Sequence, residues 1–348
     1  GRVYRRFGDN QKALEYFNQA QAIQRQTGNR TQEAETLDDI GLAYAAEGQF
    51  EKALAYHRQA AEIQHSVGNV RREAVALNNA GEAYLHLGQP SKAWECFNQA
   101  LTMLRSVSDL SNVALALRGL ARVEQQQNNL KDAHKFITES LTAIETVRSR
   151  ASSLQMRASY RALAEKSYEL YIDVLMQEHG RNPAQGFDAE ALQASERGRA
   201  RSLLERLNEA RIDIRQGVDA SLIEKEQDLS RVLNAKAQRE MQLKARKGSS
   251  EEISTLQREI RALEGEYQQV QAAIRKSSPQ YAALTQPQPL DLKGIQQQLD
   301  PNTLLLEYSL GEERSYMWVV SRDSLKTYIL PKREAVESVA HRLVDSLA

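Results

Sequence analysis

The chain has 348 residues, 41% hydrophobic and 26% charged, with 46 basic side chains against 46 acidic ones. This composition is that of an ordered globular chain rather than a disordered one. It lacks the basic excess that marks nucleic-acid binding, so no nucleic-acid partner is expected. One cysteine, Cys96, excludes an intrachain disulfide and a cysteine-based zinc site, and no run of about 18 apolar residues is present to span a membrane.

The first 148 residues repeat themselves. GRVYRRFGDNQKALEYFNQAQAI from Gly1 returns as GLAYAAEGQFEKALAYHRQAAEI from Gly41 and as GEAYLHLGQPSKAWECFNQALTM from Gly81. A weaker copy, ARVEQQQNNLKDAHKFITESLTA, starts at Ala121. A fixed period of this length predicts a solenoid of helical hairpins. Ala34, Leu37, Ile40, Gly41 and Tyr44 share one helical face. Gly48 stands where the first helix must stop, and the small residues Gly41 and Ala53 let a second helix come close.

The pattern Leu37, Ile40-Gly41, Tyr44, Gly48, Ala53, His57, Ala60 resembles the tetratricopeptide repeat. The family's late aromatic falls on Phe17, His57, Phe97 and Ile137, its early tryptophan is Leu37 or Leu77, and its closing proline is absent. The period of forty, against a basic repeat of 34, predicts a lengthened second helix and loop.

Beyond the repeats, residues 149–215 read as two helices that cap the solenoid. Ile253, Leu256, Ile260, Leu263, Tyr267, Val270 and Ile274 then alternate by three and four, the seam of a coiled coil. With Leu222–Leu243 upstream and Lys247-Gly248-Ser249-Ser250 between, residues 216–278 predict an antiparallel helical hairpin. Residues 279–303, with Pro279, Pro287 and Pro289, form a linker. From residue 304 the period changes to that of strands: Leu304–Tyr308, Tyr316–Val320 and Lys326–Leu330, followed by an amphipathic helix over Glu334–Leu347. Three strands and a helix are too few for a finished domain. With Gly1 lying inside a repeat, the sequence reads as part of a longer protein.

LLLEYSLGEERSYMWVVSRDSLKTYILP, residues 304–331, is similar to the opening of a CHAT domain, a caspase-like module that follows tetratricopeptide repeats in many bacterial proteins. ASERGRARSLLERLNEAR (194–211) and SPQYAALTQPQPL (278–290) are similar to the segment that joins the two. The fold expected is therefore mainly α: an α-solenoid, an antiparallel coiled-coil hairpin, then the beginning of an α/β caspase-like domain in residues 304–348. The resemblance implies a cysteine peptidase whose catalytic His and Cys lie on later strands, and a bacterial, cytoplasmic setting.

No residue of this stretch is expected to be catalytic. Cys96 occupies a slot held by Tyr16, Tyr56 and Phe136 in the other copies, which favours packing over nucleophilic work. The six histidines show no metal-ligand spacing, the glycines form no phosphate cradle, and neither metal nor cofactor is expected. The arginine run from Arg197 to Arg215 is interleaved with glutamates and reads as a solvated or domain-joining face.

In tetratricopeptide solenoids the first helix of each unit lines a concave groove that receives partner peptides. Matching Ile40-Gly41 to the family pattern puts Asp38, Asp39, Asn78, Asn79 and Arg118 on that groove, with Glu82 and Arg122 one turn on. Asparagine amides suit an extended peptide backbone, and the groove runs from acidic to basic. The alternative is that these are the polar faces of surface helices. The function expected is a scaffold or receptor that binds protein or peptide partners and controls a caspase-like peptidase. A non-catalytic adaptor and a repeat-containing signalling or transcriptional regulator are the rival readings.

Overall fold

In the computed structural model, which describes residues 1–150, 154–209, 218–245, 249–278 and 290–347, a single backbone rule organises the first half of the chain. Every twentieth residue from 8 to 128 has a positive φ: Gly8, Gly28, Gly48, Gly68 and Gly88 lie between 67° and 81°, Ser108 at 54° and Asn128 at 68°. Glycine takes this left-handed geometry without a Cβ penalty, and asparagine tolerates it.

Between these residues run helices of 17 residues each: α2 (Asn10–Gln26), α3 (Arg30–Ala46), α4 (Phe50–Ser66), α5 (Val70–His86), α6 (Pro90–Ser106) and α7 (Leu110–Gln126). A short α1 (Arg2–Arg6) precedes them and α8 (Leu130–Arg150) follows. Side chains of Asp9, Asn29, Asn69 and Asp109 accept the N–H three residues on, at 3.1 to 3.3 Å, and so start α2, α3, α5 and α7. The period of forty is thus two equal halves of one helix and one three-residue turn. The extra length over the basic repeat is shared by both helices, not placed in the second alone, because the same left-handed stop follows each.

The hairpins close on a small-against-large contact. A Cβ on Gly1 would come within 2.3 Å of the Phe17 ring, one on Gly41 within 2.6 Å of His57, and one on Gly81 within 2.8 Å of Phe97. Phe97 also abuts Gly119 of the next unit, where a Cβ would fall 2.5 Å away. Phe97 and His57 are 0% and 1% exposed. Beside the first two seats the tyrosines stack, Tyr4 on Tyr16 at 5.3 Å and Tyr44 on Tyr56 at 5.5 Å. Alanines 13, 34, 53, 60, 74, 80, 93 and 100 are all fully buried where helices meet.

Two compact units divide the chain. The first comprises residues 1–147 together with 173–185, the last part of α9 (Leu154–Arg181) and the short 3-10 turn after it. There Gln125 donates to Asp173 at 2.6 Å, His134 Nδ1 bonds Glu178 at 2.8 Å, and Arg181 donates to the Asn128 carbonyl at 3.1 Å. The segment expected as a capping pair is therefore divided. The end of α9 covers the last hairpin, while α10 (Phe187–Glu209) belongs to the second unit.

In the second unit α11 (Ala220–Ala245) and α12 (Ser250–Ser277) pack side by side in opposite directions. Lys236 meets Glu259 at 2.7 Å, Gln257 donates to Glu240 at 2.8 Å, and Tyr267 and Gln271 both donate to Glu226 at 3.3 Å. Leu229, Leu233, Tyr267, Val270 and Ile274 form the shared core. The Lys247-Gly248 part of the expected turn and Pro279, Pro287 and Pro289 of the expected linker lie outside the described residues. Within that linker stands a helix the periodicity did not suggest, α13 (Leu292–Gln298), capped by Asp291 on the Gly294 N–H at 2.8 Å. Strands β1 (Leu305–Ser309), β2 (Ser315–Val320) and β3 (Leu325–Leu330) form an antiparallel meander in the order β1-β2-β3, and α14 (Arg333–Leu347) follows.

The Phe97 seat can be tested directly. Gly119→Ala should destabilise the repeat unit by about 1–3 kcal/mol through overpacking. The double variant Gly119→Ala/Phe97→Leu should lose less than the two single variants summed, as read from urea unfolding followed by circular dichroism. Strict additivity would show that ring and glycine do not compete for the same space.

Candidate functional site

The first helices α3, α5 and α7 carry the side chains singled out from the repeat register. Positions forty apart lie one hairpin apart on neighbouring helices, so equivalent residues can touch. The structure uses this repeatedly. Asn79 on α5 donates to both Asp38 oxygens on α3 at 3.1 Å. Glu82 on α5 pairs with Arg122 on α7. Asp39 takes the guanidinium of Arg2 at 2.5 Å and that of Arg5 at 3.5 Å. Glu35 stands between Arg2 at 3.5 Å and Arg72 at 3.2 Å, and Arg71 meets Asp109 at 3.2 Å.

Asp38 has a second partner. His57, in the slot that holds Phe17 and Phe97 in neighbouring units, brings its Nδ1 to 2.6 Å from Asp38 Oδ1. A carboxylate only accepts, so Nδ1 carries the proton and donates. The histidine thus fills an aromatic seat over Gly41 while anchoring a half-buried acid, which a phenylalanine cannot do.

The seven expected residues therefore divide by environment. Asp39 and Asn78 are buried, at 7% and 8% exposed. Asp38, Asn79, Glu82, Arg118 and Arg122 are half-buried. The Oδ1 of Asn78 has no hydrogen-bond partner, the only one of the seven with a buried polar side-chain atom so placed. The acidic-to-basic gradient expected along the face is largely spent within it, since Asp39 meets Arg2 and Arg5, and Glu82 meets Arg122. Arg2, Arg5, Glu35 and His57 join the face and were not singled out from the register. A search for complementary residues at i and i+40 exposes the Glu82–Arg122 pair, whereas the partners of Arg2, Arg5, Glu35 and His57 lie at other spacings and carry no such signal.

Cys96 is half-buried on α6. Burial pushes its thiol above the usual cysteine range, and the Glu95 carboxylate adds to this against a smaller opposing effect of Arg58. A protonated thiol is a poor nucleophile. Among the described residues no cluster of three or more histidine, cysteine, aspartate or glutamate side chains could hold a metal ion. No helix is long and apolar enough to cross a membrane among those residues.

Helical hairpins in a fixed register, the first three locked by a glycine under an aromatic side chain, define an α-solenoid. Residues 1–65 and 72–146 match the family of the tetratricopeptide repeat, and the first unit is an array of such repeats. Solved structures similar to the chain include "putative kinesin light chain nearly identical TPR-like repeats" from Podosopora anserina, with 21% identity over 60% of this chain and 92% of that one and a TM-score of 0.43. BtubC (BKLC) from P. vanneervenii is 15% identical over 89% of this chain and 100% of that one, with a TM-score of 0.41. PilF of Pseudomonas aeruginosa is 17% identical over 59% of this chain and 93% of that one, with a TM-score of 0.30. No curated protein matches the chain.

The reading of Cys96 as a packing thiol has a simple check. Its alkylation by iodoacetamide in the folded chain should stay slow at about pH 7–8, and should rise only as pH passes the ordinary cysteine value. Fast labelling at neutral pH, equal to that of free cysteine, would return it to the list of candidate nucleophiles.

Proposed function

We propose that the repeat unit is a protein–protein interaction scaffold that receives a partner segment along α3, α5 and α7. The observation that carries this reading is the array of hairpins in tetratricopeptide register over residues 1–65 and 72–146. Such arrays present their first helices to partners. Here the residues that would do so are Asp38, Asn78, Asn79, Glu82, Arg118 and Arg122, with Asp39 held from behind by Arg2. The internal Glu82–Arg122 pair must be loosened or shared by a charged partner. This favours a segment that approaches with backbone groups and small polar side chains over one carrying dense charge.

The finer part of the proposal concerns residues 304–348. Their resemblance to the opening of a CHAT domain supports a caspase-like effector, positioned or released by what the repeats bind. The antiparallel meander and the following α14 are compatible with such an opening. The ASERGRA segment, part of the proposed join, supplies Arg199, which donates to the Tyr308 carbonyl of β1 at 2.7 Å. On this reading residues 216–278 form a separate hairpin module between scaffold and effector. The adaptor reading would keep the same scaffold without the protease.

A charge swap tests the binding face. A peptide that binds the wild-type chain would first be selected from a displayed library. Glu82→Arg and Arg122→Glu should each weaken the repeat unit, while the double swap restores the pair and the melting temperature. If the face contacts the peptide, the stable double swap should still bind it about five- to a hundredfold more weakly, equivalent to about 1–3 kcal/mol. Full affinity in the double swap would remove these two residues from the binding face.

A further inference from the structure

The second unit contains a charge cluster that the scaffold reading does not use. Glu307 lies on β1 and is 2% exposed. Glutamate is rarely buried to this degree unless paired. Its neighbours on the sheet are uncharged: Trp318 opposite it on β2, itself 0% exposed, and Thr327 beyond on β3. The charged groups that act on it both come from α10. The Glu196 carboxyl lies within hydrogen-bonding reach, and Arg199 Nη2 stands 3.1 Å from Glu307 Oε1. The Ser195 hydroxyl completes the contact. Arg199 also donates to the Tyr308 carbonyl at 2.7 Å, so the same turn of α10 holds both side chain and backbone of β1.

The charge balance decides how this contact behaves. Two carboxylates and one guanidinium leave one negative charge without a counter-ion, and Glu307 carries its share out of water while Arg199 keeps its head half exposed. One added proton makes the cluster neutral and supplies the O–H donor that a carboxyl–carboxylate pair needs.

We propose that Glu307, with Arg199 and Glu196 against it, forms a proton-dependent latch that fastens β1 to α10, closed when the buried Glu307 carboxyl holds its proton and weakened when it is ionised. Burial is the main cause, and hydrogen bonding to Glu196 the next, of a Glu307 carboxyl raised from 4.5 to about 7, against smaller opposing effects of Ser195 and Arg199. The sign follows from that direction. An acid raised in the folded state contributes stability that is fully present below its unfolded value of 4.5. It is lost as pH rises through about 7. The latch therefore works across the neutral range, where an ordinary glutamate is silent.

Trp318 reports on it. In the full chain with Trp94→Phe, Trp318 is the remaining one of the two tryptophans, and it sits directly across from Glu307. Urea unfolding followed by its fluorescence should show the folded-to-unfolded ratio of the second unit falling at least about tenfold between about pH 5 and pH 8.5. Glu307→Gln and Glu196→Gln each remove one negative charge and leave a neutral cluster without a proton, so both should flatten that profile. Arg199→Gln should steepen it. If Glu307→Gln fails to fold, Glu196→Gln carries the test alone. A flat wild-type profile, or Gln variants whose profiles fall in parallel with it, would overturn the proposal.

Discussion

The repeat unit depends on one contact: the edge of a ring laid against a helix that has no side chain at that point. Phe17 on Gly1, His57 on Gly41 and Phe97 between Gly81 and Gly119 bring paired helices closer than any Cβ would permit. The fully buried alanines at the same interfaces have meaning only once that distance is set. Dispersion is short-ranged, and a gap of even an ångström forfeits much of it. The glycines therefore govern how far each neighbouring alanine, leucine and isoleucine contributes to the core.

The same closeness explains the polar stitching. When hairpins are held in fixed register, side chains 40 or 41 residues apart become neighbours, and Asn79–Asp38 and Glu82–Arg122 follow from geometry. Exposed ion pairs contribute little individually. Their value here is in fixing which position faces which, since each pair opposes a slip of one hairpin against the next. His57 carries this furthest by joining a packing role to a hydrogen bond to Asp38.

What the sequence made legible, and what it did not, divides along the range of the interaction involved. The hairpins, their glycine stops and the three strands are encoded by neighbours in the chain, and residues such as Gly48, Leu37 and Val320 declare themselves by period. The strand bounds moved by a residue or so: Leu304–Tyr308 became Leu305–Ser309 and Lys326–Leu330 became Leu325–Leu330. The equal lengths of the helices were also present in the spacing of Gly28, Gly48 and Gly68, although the comparison with a shorter repeat pointed to the second helix. Partnerships were less visible. That Asp39 is buried under Arg2, or that Glu307 meets Glu196 and Arg199, depends on elements far apart in sequence. Periodicity tells which face of a helix is buried but not what lies against it. The short α13 fell between these cases, since Asp291 three residues before Gly294 is a local cap signal overshadowed by the surrounding prolines.

The left-handed residue at every twentieth position has a consequence for how such a chain can change in length. Losing one residue inside a helix turns everything beyond it by about 100°, moving glycine seats and ring positions off their common face. Losing forty, from one positive-φ residue to its equivalent, rejoins matching backbone to matching backbone and leaves every seat in place. The array is thus more tolerant of a large excision than of a small one. What such an excision does alter is order: Asp38 needs His57 within its own hairpin and Asn79 in the next, whereas Phe97 needs a glycine on either side. The backbone treats the hairpins as interchangeable beads, and these few side chains keep them in sequence.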